Sequence, residues 1–203
     1  MEESSVYIRR VPPFFKGSVM ERKPRADSLR NRELLLSTAK TAFTEAGAGV
    51  ALEEIARRAG VGIGTLYRHF PTRGALLAGV YQREVEQLAG AADALLAEKS
   101  PGAAMEAWLH LLINYLTTKR VVVPALKADA EGAQLYAATA SPVSETLKRL
   151  AGAAIASGEI RSDTGYDDIY RMLIGMTHGY EQPGWEASAR RLVSILMAGL
   201  KAP

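Results

Sequence analysis

The sequence predicts an all-α protein of about nine helices. Apolar residues recur every three to four positions along most of the 203 residues, which is the period of helices with one buried face. The one strand-like run is Val121-Val122-Val123, and Pro124 ends it. With 48% hydrophobic and 23% charged residues, the composition is that of a globular chain and excludes a fibrous or fully disordered one.

Several classes of protein are excluded or disfavoured by what the sequence lacks. It has no cysteine, which excludes disulfide frameworks, thiolate zinc sites and a cysteine nucleophile. No apolar run approaches the length of a membrane span, and the N-terminus does not have the pattern of a secretory signal. We therefore expect a cytoplasmic protein with no membrane partner. The three histidines lack metal-ligand spacing and no nucleophile elbow is present, so we expect no metal and no cofactor, and an all-α enzyme is a remote alternative.

The chain begins with a segment that has no helical period. Residues 1–24 include Pro12, Pro13, Gly17 and Pro24, and we interpret them as a flexible arm. From Ser28 onward the pattern is helical, and this first helix is expected to end at Gly47.

The densest information lies between Leu52 and Phe70. Two short helices separated by a tight, glycine-containing turn are typical of a helix-turn-helix. Ala56 is small, as a close helix crossing requires, and Gly60 can end the first helix in a left-handed conformation at no steric cost. Val61 and Leu66 are expected to fill the angle between the helices. A helical hairpin that merely packs is the alternative interpretation.

The second short helix carries side chains that the interior does not need, namely Ile63, Thr65, Tyr67, Arg68 and His69. They offer an apolar contact for a thymine methyl, hydroxyls for phosphates and a guanidinium for a guanine edge. Ten Lys or Arg against five Asp or Glu lie between Arg22 and Arg73, whereas the whole chain has a net charge of only +3. The first third therefore favours a polyanionic partner.

A long helix from Thr72 to Glu98 is predicted to follow Pro71, with Thr72 as its N-cap. The positive end of its dipole, at Thr72 and Arg73, suits a phosphate. We expect a helix-turn-helix domain over 25–75 and a helical regulatory and dimerisation domain over 76–203, with the 72–98 helix connecting them.

The stretch from about Arg30 to Val85 resembles the DNA-binding domain of TetR/AcrR-family transcriptional regulators. The residues that carry the resemblance are Ala42-Phe43-Thr44-Glu45-Ala46-Gly47, Leu52-x-x-Ile55-Ala56-x-x-Ala59-Gly60-Val61 and Gly64-Thr65-Leu66-Tyr67-x-His69-Phe70-Pro71-Thr72-Arg73-x-x-Leu76-Leu77. The resemblance covers roughly a quarter of the chain, and its many spaced identities make it specific. It implies that Thr65, Tyr67, His69 and Arg73 hold phosphates and that Gly62, Ile63, Gly64 and Arg68 face the bases. It also implies that the cluster from Arg22 to Arg25 is a mobile basic arm.

The second half is predicted to contain further helices with aromatic and methionine residues on their apolar stripes. Taken singly, each of these residues is explained by a core, but together they are typical of a small-molecule pocket, which the resemblance also implies. The pocket candidates are Trp108, Leu112, Tyr115, Tyr136, Tyr170, Leu173 and His178. Their mixed character suits an aromatic or amphipathic effector.

The last two helices have more apolar surface than one packing face uses. A helix that is apolar on two sides is either enclosed within a monomer or shared with a partner. We favour a C₂ homodimer through a four-helix interface, with the interface residues Ile174, Leu192, Ile195, Leu196 and Leu200.

These observations predict a sequence-specific repressor that binds double-stranded DNA at a palindromic operator and is released by a small-molecule effector. A DNA-binding activator, or a regulator that needs no ligand, fits the same residues and remains an alternative.

Overall fold

The computed structural model describes residues 24–128, 130–138, 140–180 and 182–202. This part of the chain is all-α, with nine helices and a single isolated bridge between Ile160 and Lys201. The helices are α1 (Pro24–Ala46), α2 (Leu52–Arg58), α3 (Ile63–His69), α4 (Arg73–Glu98), α5 (Pro101–Leu126), α6 (Ala130–Ala138), α7 (Ala140–Ala156), α8 (Tyr166–Met176) and α9 (Trp185–Leu200). The predicted fold class is confirmed. No helix in the described ranges is long and apolar enough to cross a membrane.

The ends of the first four helices follow from particular residues. α1 is described from Pro24, so helical structure is already present ahead of the predicted start at Ser28. Gly47 (φ 84°) and Gly60 (φ 67°) take the left-handed conformation just beyond α1 and α2. The Thr72 hydroxyl accepts a hydrogen bond from the Ala75 N–H at 3.0 Å, so Thr72 caps α4 as the sequence indicates.

One expectation about the second half is wrong. Val121–Val123 are helical and lie in α5, which continues through Pro124 to Leu126. Val122 is fully buried in the core, and this packing outweighs the weak strand preference of valine. Pro142 lies in the first turn of α7, where proline is tolerated.

The core is centred on the long helices α4 and α5, which pack along each other, with α1, α7 and α9 against them. Trp108 of α5 is fully buried, and its indole N–H donates to the Leu88 carbonyl of α4 at 2.7 Å. Since only three residues lie between the end of α3 and the start of α4, the helix at the centre of the core also supports the helix-turn-helix.

A charged cluster joins α1 to α4. The Glu84 carboxylate is 5% exposed and lies 2.5 Å from the Lys40 ammonium and 3.5 Å from an Arg83 nitrogen. The Arg83 Nε also donates to Glu33 of α1 at 2.6 Å. A buried carboxylate needs such partners, because its desolvation is otherwise costly. The cluster therefore stabilises one arrangement of α1 on α4.

Candidate functional site

The helix-turn-helix is formed by α2 and α3. Ala56 and Leu66 are buried between the helices, and Val61 is half-buried in the turn. The Val61 N–H donates to the Ala56 carbonyl at 3.0 Å, directly after the left-handed Gly60. The positions that the sequence predicted are thus those observed for Ala56, Gly60, Val61 and Leu66.

One face of α3 is open to solvent. Ile63 is 37% and Tyr67 45% exposed, and Gly62, Gly64 and Arg68 are exposed as well, while Thr65 and His69 are half-buried. Within the described ranges, the side chains of Tyr67 and Arg68 have no hydrogen-bond or ion-pair partner. Both side chains are free to bind an external group.

The arginines of α2, in contrast, are held by carboxylates. Arg57 and Arg58 both donate to Glu54, at 2.7 Å and 2.8 Å, and Arg58 also reaches Glu45 of α1 at 2.7 Å. The hydrogen bonds from Arg57 and Arg58 lower the pKa of Glu54 to about 2. Because these positive charges are largely compensated, Arg68 is the cation of the helix-turn-helix that remains available to an anion.

Arg73 does not have the exposed position that was expected of a phosphate contact. It is half-buried, and its Nη1 donates to the carbonyls of Ala48 at 2.9 Å and Val50 at 2.6 Å. Both carbonyls belong to the loop between α1 and α2, and Arg73 at the start of α4 is their charged donor. Arg73 therefore stabilises the helix-turn-helix by joining the start of α4 to the loop that precedes α2. The expected arm lies outside the described residues, as does the side chain of Arg25.

We expect Arg73→Ala to lower the free energy of unfolding by about 1–3 kcal/mol, because two carbonyls lose a charged donor. Thermal denaturation followed by circular dichroism measures this effect. The control is Arg68→Ala, which removes an arginine of the same unit with no partner in the described chain and should leave the melting temperature unchanged. Equal melting temperatures for the two variants would contradict the role assigned to Arg73.

A cavity of about 290 Å³ lies between α4, α5, α6, α7 and α8. Six of the seven predicted pocket residues line it, namely Trp108, Leu112, Tyr115, Tyr136, Tyr170 and Leu173. His178 does not line the cavity. α8 ends at Met176, so the helical spacing from Tyr170 does not extend to His178, which is exposed.

Sequence reasoning missed several lining residues, which are Tyr81, Leu116, Lys119, Val143, Ser144, Leu147 and Thr177. Ile174, predicted at the dimer interface, also lines this cavity. Lys119 lies one turn beyond Tyr115 on α5, and this spacing, which places both residues on one face of the helix, could have indicated that Lys119 lines the cavity. Tyr81 lies on the apolar stripe of α4, where core and cavity residues have the same pattern.

Hydroxyl groups and one ammonium give the cavity its polar character. The hydroxyls of Tyr81 and Tyr115 are hydrogen-bonded at 3.1 Å. Burial raises the pKa of Tyr115 far above its usual value, and the bond to Tyr81 raises it further, so this phenol stays protonated. The Lys119 ammonium lies 5.9 Å from the ring centre of Tyr115 and 5.4 Å from that of Tyr136.

The outer face of α8 and α9 is an apolar groove. Met172 is 49%, Leu192 40% and Ile195 66% exposed, and all three line the groove. Leu196 and Leu200 also line this groove, although they are only 4% and 5% exposed because they pack into the core of the monomer as well. The assignment of Leu192, Ile195, Leu196 and Leu200 to a dimer interface stays a prediction.

Comparison with known proteins identifies the family. Residues 35–80 match the family described as "Bacterial regulatory proteins, tetR family", and residues 100–202, about half of the chain, match "Transcriptional regulator SbtR-like, C-terminal domain". The chain belongs to the TetR family of transcriptional regulators. As a TetR-family regulator it has a DNA-binding helix-turn-helix, formed by α2 and α3.

Solved structures of other TetR-family regulators resemble this one over most of their length. The TetR regulator SCO0520 from Streptomyces coelicolor is 40% identical, with a TM-score of 0.76 over 84% of this chain and 98% of that one. A TetR regulator from Mycobacterium vanbaalenii is 32% identical, with a TM-score of 0.72 over 88% and 99% of the two chains. The HTH-type transcriptional regulator SAR0097 of Staphylococcus aureus (strain MRSA252) is 30% identical over 102 residues, so the match spans about half of each protein.

Proposed function

We propose that this TetR-family regulator is a homodimeric repressor that leaves a palindromic operator when a small molecule enters the cavity. Residues 25–75 would bind DNA, and residues 76–203 would form the regulatory and dimerisation part. We further propose that the protein acts in the cytoplasm, where its DNA partner lies, and that it has no catalytic role.

The exposed face of α3 supports the DNA-binding part of this proposal. Gly62, Gly64 and Ile63 give an approach to base edges and thymine methyls, and Arg68 gives a donor for a guanine edge. Thr65, Tyr67 and His69 flank this face and suit phosphates, as does the remaining hydroxyl hydrogen of Thr72. Because Arg68 is the one hydrogen-bonding side chain among the residues that face the bases, DNA shape would contribute to the choice of operator.

The observation that carries the proposal is the position of Tyr81. It lines the cavity and lies on α4, which follows the helix-turn-helix directly along the chain. Eight residues separate Tyr81 from Arg73, which is roughly 12 Å along a helix. A ligand that displaces Tyr81 therefore acts on the helix that supports α3. Release requires the ligand to bind the DNA-free arrangement more tightly than the DNA-bound one, by roughly 1–3 kcal/mol.

The apolar groove on α8 and α9 supports dimerisation. Exposed side chains such as Met172, Leu192 and Ile195 on neighbouring helices are typical of a surface that a partner covers. Two-fold symmetry would place two α3 helices in successive major grooves of a palindromic site.

The salt dependence of DNA binding tests the proposal. A binding site is first selected from random duplex DNA by the full-length protein, and its affinity is then measured between 50 and 200 mM salt. We expect a loss of roughly 10³-fold or more, because several phosphates are neutralised per dimer. A flat salt dependence, or selection of no common palindrome, would contradict DNA recognition of this kind.

Repression itself needs a second measurement. A reporter whose promoter contains the selected site should be transcribed less when the protein is present. Increased transcription would favour the alternative of an activator, and would leave the assignment of DNA contacts intact.

A further inference from the structure

We infer that the cavity binds a planar aromatic anion, such as an aromatic carboxylate, with the Lys119 ammonium as its counter-charge. This inference names the ligand class of the cavity and rests on the proposed function for its biological role only.

The walls of the cavity select for a flat, unsaturated ligand. Tyr81, Tyr115 and Tyr136 form a cluster, with ring centres 6.2 Å and 5.7 Å from Tyr81, and Trp108 and Tyr170 also line the cavity. Aromatic rings prefer offset or edge contacts with other rings at such distances. The volume of about 290 Å³ is roughly twice that of a cavity known to hold benzene, so one or two rings fit.

The charge of the cavity selects for an anion. Lys119 is the one charged side chain among the described lining residues, and none of these residues is acidic. Within the described chain, Lys119 forms no ion pair, and its ammonium is held only against the rings of Tyr115 and Tyr136. The nearby carboxylate of Glu84 is already compensated by Lys40 and Arg83. A cationic ligand would meet an uncompensated like charge, whereas a carboxylate would supply the missing partner.

The hydroxyl groups favour the same ligand. In the pair formed by Tyr81 and Tyr115, one hydroxyl donates to the other, so one hydroxyl hydrogen remains without an acceptor in the described structure. The Ser144 hydroxyl lines the cavity and is hydrogen-bonded to the Tyr166 hydroxyl at 2.6 Å; when Ser144 accepts this bond, its own hydrogen is available to a ligand. These groups can donate to an anionic oxygen, and such charge-assisted bonds are stronger than neutral ones.

The test compares carboxylates with neutral amides of the same shape. Benzoate, 2-naphthoate and biphenyl-4-carboxylate, and the three corresponding amides, are titrated into the full-length protein without DNA, and heats of binding are recorded. We expect at least one carboxylate to bind ten times more tightly than its amide, or more, since a charged donor or acceptor adds about that much.

Variants assign the preference to Lys119. Lys119→Met should bring carboxylate and amide to equal affinity, and Lys119→Arg should keep most of the preference. Lys148→Met is the matched control, because Lys148 is exposed on α7 and does not line the cavity; it should behave like the parent protein. Circular dichroism of each variant establishes that it is folded.

Three results would overturn the inference. They are equal or tighter binding of the amides, an unchanged carboxylate preference in Lys119→Met, and no binding of any of the six compounds at millimolar concentration. The role in DNA release is measured separately, by adding the tightest carboxylate to the protein–DNA complex. If binding depends on Lys119 but the complex is unaffected, the ligand class stands and the release step of the proposed function fails.

Discussion

Replacing Ile195 by Asp is expected to convert the proposed homodimer into monomers and to weaken DNA binding by roughly 10²–10⁴-fold. Ile195 is 66% exposed on α9, so the folded monomer tolerates a charge there, whereas a partner that covers the groove would bury the charge unpaired. Loss of the dimer also separates the two recognition helices, which removes the gain from binding two half-sites at once. Sedimentation gives the mass, and titration of the selected DNA site gives the affinity.

Leu34→Asp is the matched control for Ile195→Asp. Leu34 is 42% exposed on α1, away from α8 and α9, and its substitution should leave the sedimenting mass unchanged. Leu196→Asp is unsuitable for this purpose, because Leu196 is buried in the monomer and a charge there destabilises the fold itself. A dimeric mass for Ile195→Asp would remove the groove from the interface.

The second large effect is expected for Tyr67→Ala, which should lower affinity for the selected DNA by roughly 10–100-fold with an unchanged melting temperature. Tyr67 is 45% exposed and supports no described neighbour through a hydrogen bond, so its removal costs little stability. Each dimer loses two contacts, and each contact of about 1 kcal/mol counts toward the binding free energy.

Leu111→Ala is the control for Tyr67→Ala, since Leu111 is 38% exposed on α5 and lines neither the cavity nor the groove. It should bind DNA like the parent protein when no ligand is present. Affinity is measured by fluorescence anisotropy and stability by thermal denaturation. Full affinity of Tyr67→Ala would mean that the exposed face of α3 is not the DNA-binding surface.

The helix-turn-helix could be predicted from the sequence because its constraints are local. Gly60 marks a left-handed turn, and Ala56, Val61 and Leu66 must fill the space between two short helices, so their order along the chain defines their geometry. Arg73 shows the limit of this reasoning. Its partners are carbonyl groups of a loop about 25 residues earlier, and no pattern in the side chains reports the position of a backbone oxygen.

The cavity was predictable in part for a different reason. Aromatic residues with polar tips are typical of pockets that bind small molecules, so Trp108, Tyr115, Tyr136 and Tyr170 were candidates even though they come from three helices. Lys119 was missed because a lysine on a stripe is ordinarily a solvated residue. The inward position of Leu196 could not be predicted, because α9 is apolar on both sides and only the packed neighbours decide which side is buried.

The ion pair between Lys40 and Glu84 limits how α1 and α4 can move relative to each other. A movement that separated α1 from α4 would leave the buried Glu84 carboxylate without the Lys40 ammonium, which is energetically unfavourable. The pair therefore favours a shift in which α1 and α4 move together. Under the proposed release mechanism, a displacement of Tyr81 on α4 would carry α1 with it.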